Sequence, residues 1–178
     1  MMADLPEISV QPGQLYLARS PAILRTILGS CVGVTFWNVR LVVGALCHGV
    51  LPSCPPGASV QDGRRYVDAG IRHLAERFDK LGLRRRDVEV KLFGGADVLA
   101  VSGAKMGKPT IGALNCRAAL AVLEEEGFRL TAFDLGGIQG RTIHFNTGTG
   151  EVLVHRLAAL RNSEESDNEF KRIPREGA

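Results

Sequence analysis

The chain has little with which to grip nucleic acid, cross a membrane or cross-link itself. Its 22 Lys+Arg and 19 Asp+Glu leave a formal net charge of only +3, too mild for the basic footprint of a nucleic-acid binder. The longest apolar run, Leu41–Cys47, falls far short of the roughly 20 residues that span a bilayer. The start, MMADLPEISVQPG, has no basic segment leading into an apolar one, so no secretory signal is expected. Cysteine is scarce: Cys31, Cys47, Cys54 and Cys116 contain no C-x-x-C pair, which removes the strong zinc and thioredoxin-like signatures. In a cytoplasmic chain these thiols are expected to be reduced. Cys47, His48 and Cys54 match no standard zinc spacing, and on a strand Cys47 and His48 would point to opposite faces. No metal site is expected. Aromatics make up 6% against 21 glycines, a balance that favours many turns over a long-helix bundle. What remains is 45% hydrophobic and 23% charged, a composition that folds. The expectation is a soluble cytoplasmic protein, with one domain over residues 1–161 and a polar, disordered tail over 162–178.

Three apolar, β-branched runs come first: Ala22–Leu28, Val32–Asn38 and Leu41–Val50. Their short connections predict an antiparallel meander. Pro52–Gly63, rich in proline and glycine, predicts a loop that could serve as a mobile flap. Val67, Ile71, Leu74, Phe78 and Leu81 recur at helical steps, predicting a helix over Tyr66–Leu81. Val88–Phe93 reads as a strand ending at Gly94-Gly95. A second helix is expected over Asn115–Glu126, with Asn115 as its N-cap and Gly127 past its end. Arg129–Leu135, Arg141–Asn146 and Glu151–Leu157 read as strands, the last two joined by a TGTG hairpin turn. The elements do not alternate regularly between strand and helix. The expected class is therefore α+β with mixed or antiparallel sheets, not a doubly wound parallel sheet. Gly136-Gly137-Ile138-Gln139-Gly140 leads into a strand, so no helix N-terminus is there to hold a pyrophosphate. Gly94-Gly95 reads the same way, as a turn.

Gly29-Ser30-Cys31-Val32-Gly33 is the segment best suited to chemistry. A cysteine among small residues at a sharp break between strands can present its sulfur and nearby backbone N–H groups to a ligand, and Gly29 and Ser30 are the candidate substrate-binding positions. The alternative is a small buried hydrophobe. His48 ends the third run. In a hairpin, the start of one strand and the end of the next lie side by side, about 4.8 Å apart. An imidazole there could take the Cys31 proton and leave an ion pair; the alternative is a core histidine. A nucleophile elbow must run from strand into helix, and the β-forming VGVTFW that follows rules that reading out.

TILGSCVGV, ALCHGVLP, the YVDAGI helix start, KLFGGADVL, IGALNC and GGIQGR…FNTGTGEV together resemble the CheD family of chemoreceptor glutamine deamidases, over about Leu15 to Leu157. That family in turn resembles the catalytic domain of cytotoxic necrotizing factor toxins. The resemblance implies a β-sandwich flanked by helices and hydrolysis of receptor glutamine side chains to glutamate without a metal or organic cofactor. It implies Cys31 as nucleophile, His48 as its base, and a third catalytic member, a threonine shortly before the cysteine. In the family pattern T-x-G-L-G-S-C that threonine falls where Arg25 stands here, and Thr26 is one residue nearer. A one-residue slip in a strand turns a side chain to the other face, so Thr26 fits only if the turn absorbs the slip. The implied partners are the helical bundle of a chemoreceptor cytoplasmic domain and a CheC-type chemotaxis phosphatase. Arg64, Arg65 and Arg84–Arg86 are candidates for steering toward the acidic bundle. A non-catalytic CheD-like adaptor and a general thiol amidase are the competing readings.

Overall fold

The structure, a computed structural model, describes residues 5–59, 63–98, 107–158 and 171–173. Ten strands form two five-stranded sheets. The first holds β1 (Glu7–Ser9), β3 (Ile23–Leu28), β8 (Arg141–Asn146), β9 (Val152–Arg156) and β10 (Lys171–Ile173), side by side in that order. The second runs β2 (Leu15–Ala18), β5 (Val43–Gly49), β4 (Val32–Asn38), β6 (Glu89–Gly94) and β7 (Leu130–Leu135). Pairing is antiparallel except for β1 with β3 and β6 with β7. Two helices, α1 (Val67–Asp79) and α2 (Ile111–Glu125), cover the second sheet.

The layers follow from the apolar pattern. Leu24, Leu28, Trp37, Leu46, Phe93 and Phe145 fill the space between the sheets. Val34, Phe36, Ile71, Leu74, Phe78 and Leu123 fill the space between the second sheet and the helices. The second sheet is thus covered on both faces, and β4 and β5 are buried along their whole length. Their near-continuous hydrophobic runs are the signature of that position. The α+β sandwich flanked by helices is what the sequence led us to expect, and α1 and β8 fall where periodicity placed them.

One expectation is corrected at the point that matters most. β4 and β5 do form a hairpin, paired from Val32↔Gly49 to Asn38↔Val43, but β3 is not the third strand of a meander. It belongs to the other sheet, paired with β8 from Ile23↔Asn146 to Leu28↔Arg141. Gly29–Cys31 is therefore a crossing between sheets. The start of the second helix is also corrected. Its N-cap is Thr110, whose Oγ1 accepts from Ala113 N at 3.2 Å, and Asn115 lies inside the first turns. Most of the segment expected as a tail lies outside the described residues. Within it, however, Lys171–Ile173 adds β10 antiparallel to β9, covering an edge that would otherwise present unpaired backbone.

Candidate functional site

β5 alternates. Cys47 turns toward the helices, 3.7 Å from where a Gly70 Cβ would sit, and burial pushes its thiol up to about 12. His48 turns the other way, into the space between the sheets, and is 1% exposed. The pair cannot converge on a metal, as the alternation implied. Facing His48 from the first sheet is Thr26, 2% exposed, with Oγ1 2.8 Å from His48 Nδ1. The crossing at Gly29–Cys31 creates this meeting: a meander would have kept Thr26 in the sheet of His48. It also settles the register. Thr26 faces inward, whereas Arg25 lies on the outer face, 3.7 Å from Glu7.

The tautomer of His48 follows from its partners. Thr26 Oγ1 donates to the Val10 carbonyl at 2.7 Å. Its one proton is spent there, so it accepts from His48 Nδ1–H. Nε2 is left with the lone pair. That atom is buried and has no hydrogen-bond partner among the described residues. Burial depresses the imidazole to about 4, against a smaller upward pull from the Val10 carbonyl, so His48 is neutral at pH 7.

Cys31 precedes β4 and is half-buried against the inter-sheet core. Gly33 is paired with His48, and Cys31, in the turn two residues earlier, packs against the same inter-sheet core. Burial raises the Cys31 thiol, partly offset by its own backbone N–H. Neither shift draws on the other group. Desolvation penalises both charged forms, raising the thiol and lowering the imidazole, which runs against the expected thiolate–imidazolium ion pair.

The turn around Cys31 is held from behind by segments that sequence reasoning left unassigned. Gly95 N donates to Cys31 O at 2.8 Å and Ala96 N to Gly29 O at 2.9 Å. Gly94 and Gly95 are more than a turn. Gly94 has φ +112° and a Cβ there would lie 2.3 Å from Cys31 O; Gly95 has φ +65° and a Cβ would lie 2.1 Å from Cys116 Sγ. Only glycine permits this approach. Asn115, 0% exposed, donates from Nδ2 to Ser30 O at 2.9 Å and to Val50 O at 3.0 Å. A buried asparagine in an apolar helix was the available signal, and its reading as a cap concealed it. The expected flap is pinned at Cys54, whose N–H reaches the Asp68 carboxylate at 2.9 and 3.1 Å; residues 60–62 lie outside the described residues. Arg85 and Arg86 lie away from the site, lining a cleft of about 360 Å³ with Trp37, at the other end of β4 from Cys31.

A two-sheet α+β protein with a Thr26–His48 hydrogen bond between the sheets and a half-buried cysteine in the crossing turn is the class defined by these features. Comparison with known proteins narrows it. The profile of the family described as CheD chemotactic sensory transduction matches residues 50–156. A protein of Geobacter sulfurreducens named probable chemoreceptor glutamine deamidase CheD 2 is 42% identical over 153 residues, 86% of this chain and 91% of that protein. Proteins named probable chemoreceptor glutamine deamidase CheD from Maridesulfovibrio salexigens and Archaeoglobus fulgidus are 37% and 35% identical, over 87% and 83% of this chain and 94% and 92% of theirs. The chain belongs to the CheD family. Among solved structures, Bacillus licheniformis hypothetical protein YfiH aligns with 67% of this chain and 49% of its own at TM-score 0.45 and 11% identity, and that likeness carries no argument. No helix among the described residues is long and apolar enough to cross a membrane.

Proposed function

We propose that this chain hydrolyses glutamine side-chain amides to glutamate in chemoreceptor cytoplasmic domains, with Cys31 as nucleophile, His48 as base and acid, and Thr26 as the group that orients the imidazole. One observation carries the reading. The Thr26–His48 hydrogen bond of 2.8 Å commits Nδ1 and leaves Nε2 buried with no partner among the described residues, in the inter-sheet core against which Cys31 packs. A core histidine has no use for an empty lone pair, since an unmade hydrogen bond on a buried polar atom costs roughly 1–3 kcal/mol.

The chemistry runs as coupled proton transfer. Nε2 takes the Cys31 proton as sulfur attacks the carboxamide carbon. The developing oxyanion is held by N–H groups of the Ser30–Cys31 turn. The imidazolium returns its proton to the departing nitrogen, and ammonia leaves. Water, deprotonated by the same Nε2, attacks the thioester; glutamate and the thiol are released. The relatives' names, chemoreceptor glutamine deamidase, supply the substrate class. The reading includes residues 1–161 as one domain acting in the cytoplasm, where that receptor region lies, and a CheC-type phosphatase as a second partner. An adaptor without chemistry would leave the empty imidazole nitrogen unexplained. The test is incubation with the cognate receptor cytoplasmic domain and mass spectrometry of its peptides. Glutamine-to-glutamate conversion, absent with Cys31→Ala, supports the reading; unchanged receptor with wild-type protein refutes it.

A further inference from the structure

Three successive carbonyls of the crossing turn are held from one side: Gly29 O by Ala96 N at 2.9 Å, Ser30 O by Asn115 Nδ2 at 2.9 Å, and Cys31 O by Gly95 N at 2.8 Å. A trans peptide unit is planar, with its N–H opposed to its C=O. Holding the Gly29 and Ser30 carbonyls from behind therefore turns the N–H groups of Ser30 and Cys31 the other way. For Cys31, that direction is away from α2, the helix that carries Asn115. Neither N–H donates to another described residue; the Cys31 N–H faces its own sulfur, the atom whose attack forms the oxyanion, so both are open to it.

Two of the three holds are backbone donors from the Gly94–Ala96 bend. The middle hold, on the peptide that carries the Cys31 N–H, depends on one side chain. Asn115 faces two carbonyls, which only accept, so Nδ2 and not Oδ1 points at them. Its second bond, to Val50 O at 3.0 Å, reaches the chain just past His48. One amide thus spans the exit of the strand bearing the base and the turn bearing the nucleophile. Its Oδ1 is buried without a partner among the described residues, an arrangement that makes little sense as a stabilising device alone.

We infer that Asn115 is the positioning residue of the oxyanion turn, fixing the Ser30–Cys31 peptide so that the Cys31 N–H faces the substrate carbonyl. The inference rests on the deamidase reading above. It distinguishes two jobs at one turn: the sulfur needs His48, whereas the N–H needs Asn115.

The experiment compares Asn115→Ala and Asn115→Ser with wild type in two reactions. One is deamidation of the receptor cytoplasmic domain. The other is alkylation of Cys31 by iodoacetamide, an attack at saturated carbon that develops no oxyanion. Loss of an oxyanion-hole donor costs about 10²–10³ in turnover, so kcat for deamidation should fall by about a hundredfold in Asn115→Ala and by less in Asn115→Ser. KM should hold steady, because the interaction matters only in the transition state. Alkylation should stay at the wild-type rate. A wild-type kcat in a variant that melts like the parent overturns the inference, and so does an equal fall in both reactions. Should neither variant fold, amide hydrogen exchange on wild type decides. Fast exchange at Ser30 and Cys31 supports the inference, and protection of both overturns it. A wild type whose Cys31 alkylates but which deamidates no receptor overturns the deamidase reading instead, and the exchange result then judges the hold on the turn.

Discussion

Toward the Trp37 end of β4 the second sheet buries a charge. Lys91 is 1% exposed, yet its Nζ lies 2.9 Å from Glu89 Oε1 and donates to Gly150 O at 2.8 Å. Toward the Cys31 end the buried Asp134–Arg141 ion pair is likewise matched, whereas two neutral groups of the site are left partly empty among the described residues: His48 Nε2 on the sheet and Asn115 Oδ1 on α2. The difference teaches which buried polar groups serve the fold and which serve chemistry. A buried ion is tolerable only when its partners are present at folding. A neutral imidazole or amide tolerates an unfilled position at modest cost, and that position is where a substrate or a proton in transit can be accommodated.

The contrast can be broken by substitution, and the effects on rate should fall in a definite order. Cys31→Ala removes the nucleophile and should abolish deamidation while leaving the thermal melt unchanged; measurable turnover would end the thiol mechanism. His48→Ala should follow, with a loss of several orders of magnitude in kcat, because thiol deprotonation and ammonia departure both pass through Nε2. Thr26→Ala should cost less. It removes one hydrogen bond to His48 Nδ1, worth about 1–3 kcal/mol in a buried setting, or roughly ten- to a hundredfold in rate. Cys31 should still react with iodoacetamide. A wild-type rate for Thr26→Ala together with a severe loss for Arg25→Ala would assign the third role to the outer face instead. Lys91→Met marks the other end of the comparison. Stripping Glu89 of its buried partner should cost about 3 kcal/mol or more of stability, read from denaturant unfolding, with turnover per folded molecule unchanged.

Much of this architecture was legible from local pattern. The β4–β5 hairpin and α1 announce themselves through period and turn residues, and setting the turn before β4 next to the end of β5 needed only the antiparallel register of that hairpin. The sheet of β3 was not legible, because alternation along Ile23–Leu28 says which faces are buried and nothing about which strand pairs with them. Gly94-Gly95 and Asn115 were hidden for a related reason. Their partners, Cys31 and Ser30, lie far away in the chain, and a glycine pair or an asparagine looks the same locally whether it makes a turn, caps a helix or holds a distant backbone. The resting charge of the Cys31–His48 pair was hidden too. Proximity alone suggests an ion pair, whereas burial, which only the packed sandwich reveals, favours both neutral forms.

That neutrality is the central claim at the site end of the sheet, and the thiolate absorbance of Cys31 tests it directly. It is measured as the ultraviolet difference between wild type and Cys31→Ala across a pH titration. Burial raises the thiol above its usual range and lowers His48 to about 4, so the signal should be absent at neutral pH and emerge only above the ordinary thiol pKa of about 8.5. A thiolate already present at neutral pH, and lost in His48→Ala, would contradict the neutral pair and restore the ion pair.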